Sequence, residues 1–185
     1  MIKKFNIIIL LFLLLFCAKS SFAQECRIPC YLYQSNVQTI DSIRNDEIKF
    51  YIQIRHISDS VISVGPVISK DTNEDCHFII LKLENGNWYV KSENSFHIFY
   101  DKEKDYLADC CISTCEKTIL SKRHQLVIGA EHLYPFEILF WGVTSCDTPT
   151  YLFHKTFGLI GMQDNYGYDY FREDFLEYIL QKTRD

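Results

Sequence analysis

Sulfur carries the most obvious chemical capacity of this chain. The run Cys110-Cys111-Ile112-Ser113-Thr114-Cys115 places three thiols within six positions, and Cys26, Cys30, Cys76 and Cys146 bring the set to seven beyond Cys17. Such a cluster could hold zinc or copper, or exchange disulfides. Structural zinc, however, needs paired Cys-x-x-Cys knuckles or histidines at fixed spacing, and His124 stands nine residues past Cys115. Neighbouring cysteines on extended backbone point to opposite faces, so Cys110 and Cys111 favour separate partners. In an oxidising compartment the seven read first as disulfide candidates of unassigned pairing, with one thiol left over because seven is odd. Each bridge would stabilise by about 3–4 kcal/mol. Cys26 and Cys30 either close a tight local loop or tie the N-terminus to Cys146, the longer loop having the larger entropic effect.

The six histidines, His56, His77, His97, His124, His132 and His154, fall in no H-E-x-x-H pattern. The chain also lacks a G-x-S-x-G elbow, a glycine-rich phosphate loop and a dinucleotide fingerprint, so no cofactor is implied. His56 continues the inward parity of its strand, and His97 and His154 lie in predicted strands that pairing could bring together. Asp71-x-Asn73-x-Asp75 begins like a calcium loop, but Cys76 stands where glycine is required and Lys82 where the final glutamate belongs. It reads as an acidic turn, and no metal site is assigned. Glu173-Asp174 reads as a solvated pair, since glycosidase chemistry needs two acids facing each other across a cleft.

Residues 161–170 are more suggestive. Asp164, Asn165, Tyr166, Tyr168 and Tyr170 share a glycine-containing segment between predicted elements. Loop tyrosines offer flat amphipathic contact area at small entropic cost, as paratopes and sugar platforms do. The plainer alternative is that Tyr168 and Tyr170 anchor a following helix to the sheet.

Elements must position these groups, and a leader comes first. Lys3 and Lys4 precede an apolar run at 5–16 broken only by Asn6, and Ser21 and Ala23 supply small residues for cleavage before Gln24. This is the pattern of a secretory signal over residues 1–23, too short to span a bilayer comfortably. Lipidation at Cys17 is the weaker alternative because bulky Phe16 precedes it. Cleavage removes three lysines and no acid, taking the formal charge from −5 to −8. Such a chain has no basic footprint for nucleic acid and no transmembrane span after processing.

Beyond residue 46 the dominant period is two. Ile48, Phe50, Ile52 and Ile54 alternate with polar or amphipathic neighbours, and further strands are predicted at 61–64, 77–83, 88–90, 96–100, 118–120, 125–128, 136–141 and 151–157. Gly65-Pro66 is read as a stop. Asn85-Gly86 between apolar runs is the strongest hairpin signal. At residues 169–182 the period shifts to three and four, predicting one amphipathic helix with Asp169 as N-cap and Lys182 at its C-terminal end. The fold expected is mainly β: an antiparallel, immunoglobulin-like β-sandwich of seven to nine strands with one C-terminal α-helix. Its organisation is a leader at 1–23, a cysteine-containing segment at 24–45, the sandwich at 46–161, and an aromatic loop with the helix at 162–185.

The functional expectation is an exported, non-catalytic binding module for a protein or glycan, including a protease it would inhibit. Two alternatives stand beside it. One is a secreted enzyme, either a hydrolase with a nonlinear site or a thiol–disulfide exchanger built on Cys110, Cys111 and Cys115. The other is a structural envelope component. Sequence leaves the oligomeric state open.

Overall fold

The computed structural model describes residues 25–33, 47–69, 78–108, 111–113, 117–121, 125–140, 149–164 and 166–182; for 111–113, Lys117, Leu120, Ser121 and Phe140 it describes the main chain alone. The leader at 1–23, Cys17, Cys76, Cys110, Cys115, Cys146, Asn165 and the acidic turn at 71–75 lie outside the described residues. Among the described residues the elements are β1 (Glu25–Leu32), β2 (Phe50–Ser58), β3 (Val61–Val67), β4 (Ile79–Glu84), β5 (Asn87–Ser92), β6 (Ser95–Asp101), β7 (Tyr106–Leu107), β8 (Cys111–Ser113), β9 (Lys117–Ser121), β10 (Leu126–Ile128), β11 (Glu131–Phe140), β12 (Thr150–His154), β13 (Gly158–Gln163), β14 (Asp169–Arg172) and one helix, α1 (Glu173–Lys182).

The chain is mainly β, and its strands form an antiparallel sheet curled into a half-barrel. Hydrogen bonding runs unbroken through thirteen strands in the order β7-β6-β5-β4-β3-β2-β1-β14-β13-β12-β11-β9-β8, with β10 pairing to β11 off this path. Where seven to nine strands in two immunoglobulin-like sheets are expected, the described strands are more numerous and thirteen share one path. Two antiparallel runs, β1 to β7 and β8 to β14, are joined where the first strand meets the last: Cys30 lies opposite Arg172, Tyr31 opposite Phe171 and Leu32 opposite Tyr170. Among the described residues the sheet therefore ends at β7 and β8, both in mid-sequence.

The curl explains the core. Phe99 of β6 packs edge-to-face on Phe136 of β11 at 5.1 Å and on Phe153 of β12 at 5.2 Å, and Trp88 of β5 meets Phe153 at 5.7 Å. These strands are not neighbours in the sheet, so across the curl the walls meet through side chains, with Trp88 Nε1 also donating to the Lys155 carbonyl at 2.7 Å. Each such ring pair adds about 0.5–1.5 kcal/mol beyond the burial of its area. A second core lies on the outer face. There α1 lays Phe175, Leu176, Ile179 and Leu180 over Tyr31, Leu133, Leu152, Ile160 and Phe171. Strands beneath the helix are buried on both faces, so Tyr151, Leu152 and Phe153 form a continuous apolar run instead of alternating.

Local turn chemistry is read correctly at Asn85-Gly86, where φ values of +53° and +81° fit the two-residue hairpin between β4 and β5. Several boundaries differ from expectation: β11 starts at Glu131, five residues before the predicted strand, and β1 forms where none was predicted. β3 runs through Gly65-Pro66, with Pro66 opposite Ile52. The predicted strand at 151–157 is instead β12 and a turn, and Gly158 opens β13. The helix begins at Glu173, because residues 169–172 pair as β14 with β1 on one side and β13 on the other. Asp169 is thus a strand residue, not an N-cap. Gly161 permits this crowding: a Cβ there would lie 1.9 Å from the carbonyl oxygen of Tyr170.

Candidate functional site

The tyrosine segment forms the turn between β13 and β14. Asp164 organises it: Oδ1 accepts the backbone N–H groups of Tyr166 and Tyr168, each at 2.9 Å, and Oδ2 accepts the Tyr170 hydroxyl at 3.1 Å. The main chain adds a bond from Asp164 N–H to the Tyr168 carbonyl at 3.0 Å and one from Gly167 N–H to the Asp164 carbonyl at 3.1 Å. Gly167 has a φ of +84°, which an L side chain rarely adopts. A short carboxylate that captures several successive N–H groups fixes a turn as an extra backbone would. The result is a held platform with its rings in water: Tyr166 is 88% and Tyr168 56% exposed. Tyr170 differs. It packs edge-to-face on Phe50 at 6.0 Å, and burial, followed by the bond to Asp164, pushes its phenol pKa up. Of the predicted candidates, Asp164, Tyr166, Tyr168 and Tyr170 therefore lie together, with Tyr170 serving as the anchor.

The cysteines behave differently. Cys26 and Cys30 are free thiols on β1, the first exposed and the second buried in the inner core. Four residue steps along a strand separate them by about 13 Å, beyond the reach of a disulfide, so the tight local loop does not form. Burial is the foremost cause raising both thiol pKa values, which disfavours the reactive thiolate. Cys111 is placed only as the first residue of β8. No disulfide occurs among the described residues.

Among the described residues the histidines do not converge, and His77 and His124 lie outside them. His56 and His97 are exposed, and His97 bonds Ser95 at 2.9 Å. His154 is completely buried beneath α1, so pairing does not join it to His97. Its Nδ1 accepts the backbone N–H groups of Thr156 at 3.2 Å and Phe157 at 3.4 Å, leaving the proton on Nε2 to be donated to Glu131 Oε2 at 2.9 Å. Burial lowers the pKa of His154 despite the nearby carboxylate. Glu131 Oε1 in turn accepts from the Tyr178 hydroxyl at 3.1 Å and Lys182 Nζ at 2.5 Å. Burial raises the acid's pKa, but the bonds from Lys182, His154 and Tyr178 outweigh it and hold Glu131 at about 2. With both ring nitrogens engaged, the imidazole has no lone pair for substrate. The group pins α1 to β11 and β12.

A third polar cluster escaped the sequence reading. At the end of β13 opposite the tyrosine turn, Asp105 Oδ1 accepts the hydroxyls of Tyr100 at 2.6 Å and Tyr134 at 2.7 Å, with Lys155 Nζ at 3.8 Å. The Asp105 carbonyl accepts Gln125 Nε2 at 3.2 Å, and Gln125 Oε1 lies 2.9 Å from His132 Nδ1. Burial, then the contact with Asp105, raises the Tyr100 phenol to about 12, and Tyr134 moves the same way for the same reasons. The two hydroxyls hold the Asp105 pKa below the usual carboxylate range. Three tyrosines and two aspartates in one decapeptide are visible in sequence, whereas this cluster needs the curl to bring residues 105 and 134 together.

Among the described residues no three His, Cys, Asp or Glu side chains form a metal-ligating group, and no helix is long and apolar enough to cross a membrane. No family model matches the chain, and no curated protein or solved structure is detectably similar to it.

Proposed function

We propose that this protein is an exported binding module whose two facing sheet walls act as the layers of a sandwich and carry the Tyr166–Tyr168 turn to a macromolecular partner, a protein or a glycan. One observation carries the reading: two tyrosine rings stand 88% and 56% exposed on a backbone held by Asp164. Aromatic rings normally leave water, and holding these out on an ordered turn fits a surface that is covered when a partner binds. Little ordering entropy remains to be lost on association, because the turn is already held. Export rests on the leader-like residues 1–23, whose removal would leave Gln24 immediately before β1.

The test compares the wild-type protein with the double variant Y166A/Y168A on arrayed glycans and arrayed envelope and extracellular proteins from the producing organism. A reproducible ligand retained by the wild type and weakened at least tenfold in the variant, with unchanged circular dichroism, is the expected result. Equal retention by both proteins, or no retained ligand of either class, would overturn the reading.

A further inference from the structure

Tyr100 and Tyr134 belong to the inner core, each 2% exposed, yet their hydroxyls aim at one point on the rim of the half-barrel. The two hydroxyls are close enough to bond each other, which still leaves one buried proton that needs an outside oxygen at that point. Two donors on one atom favour an anion over a neutral carbonyl. In this chain the oxygen is supplied by Asp105, which enters from the exposed turn after β6 with a backbone φ of +52°. The site's deep side is buried and its outer side faces water: the Asp105 side chain is 48% and that of Lys155 47% exposed. Rings of Tyr100 and Tyr134 pack against each other at 5.2 Å and against Phe153, so the core itself sets the direction of the two donors.

The geometry points to a carboxylate-binding site, formed by Tyr100, Tyr134 and Lys155, in which Asp105 is the resident occupant that an incoming ligand carboxylate displaces. The turn thereby acts as a built-in competitor. A ligand must outbid a tethered group whose effective concentration is on the order of millimolar or above, so only a carboxylate with further contacts at the rim displaces it at low concentration. Gln125 and His132, joined to each other and to the Asp105 carbonyl, are the adjacent polar groups able to supply such contacts. This site is independent of the tyrosine turn, which lies at the far end of β13.

Acetate is the probe. In D105G, where glycine tolerates the positive φ, the thermal midpoint is expected to rise by about 3 °C as acetate passes through ten times its half-saturating concentration, with no such rise in chloride at matched ionic strength. D105G/Y134F is expected to lose the response. Should D105G not fold, D105N keeps a residue that accepts left-handed backbone and is expected to show the same selectivity over chloride, reduced in size. In the wild type, acetate at molar concentration is expected to perturb the ultraviolet spectrum of the tyrosines saturably, and Y134F removes most of that change. Equal responses to acetate and chloride in the Asp105 variants, or retention in D105G/Y134F, overturns the site. A flat wild-type titration overturns displacement.

Discussion

His154 and Glu131 meet at 2.9 Å under α1, and the direction of their hydrogen bond is set by two backbone amides on the far side of the imidazole. Because Thr156 and Phe157 donate to Nδ1, the ring must be neutral and must carry its proton toward the carboxylate. Acid therefore attacks the fold here. The folded pKa of His154 lies below its ordinary 6.5, so the stability gained from keeping it neutral is complete above about 6.5 and drains away as pH falls. Glu131, held at about 2 against 4.5, contributes stability that is present above about 4.5 and lost on the way down to 2. Thermal midpoints measured from pH 7 to pH 3 should fall in two stages, and H154Q should flatten the first.

Removing the carboxylate itself has a separate signature. E131Q leaves Tyr178, Lys182 and His154 facing a neutral amide and is expected to cost about 1–3 kcal/mol in denaturant unfolding. Lys182 is half exposed and can turn to water, which keeps the loss at this level. Hydrogen exchange should show α1 opening first. If α1 instead stays as protected as the inner strands in E131Q, the pin is not what holds the helix.

Gly161 tests the crowded junction of β13 and β14. A methyl group at this position meets the Tyr170 carbonyl oxygen at 1.9 Å, and both partners are backbone within the sheet. G161A is expected to destabilise by about 2–4 kcal/mol and to loosen the β1–β14 junction, read as a lower urea midpoint. A variant within about 0.5 kcal/mol of wild type would mean that this strand pairing is wrong.

Thiol reactivity distinguishes the two cysteines of β1. Cys26 should be alkylated in the native protein and Cys30 only after unfolding, since one is exposed and the other lies in the inner core. A non-reducing peptide map of exported material should begin at Gln24 and report the state of Cys76, Cys110, Cys111, Cys115 and Cys146. An intact leader in all recovered protein would contradict export.

How much of this was legible in the sequence depends on how local each signal is. Asn85-Gly86 specifies its hairpin through its own φ preferences, and the buried face of α1 is written in the spacing of Phe175, Ile179 and their neighbours. The start of α1 was hidden because residues 169–172 obey two strand neighbours, one of them 140 positions away in sequence. That distant partner, β1, carries Pro29 and two cysteines in place of an alternating pattern, so only pairing on both sides makes it a strand. Gln53 shows the same limit: alternation marks it as outward, yet it is fully buried with its amide unpartnered. Asp105 reads as one acid in a charged turn until the curl delivers Tyr134.

Binding through the tyrosine turn is tested most directly by photocrosslinking in the producing organism. A photoreactive phenylalanine analogue is placed singly at position 166, at 168, and at 96, an exposed ring on a different wall of the sheet. Adducts of one common mass from 166 and 168, and none of that mass from 96, are the predicted result. No adduct from the turn, or the same adduct from all three positions, would contradict it.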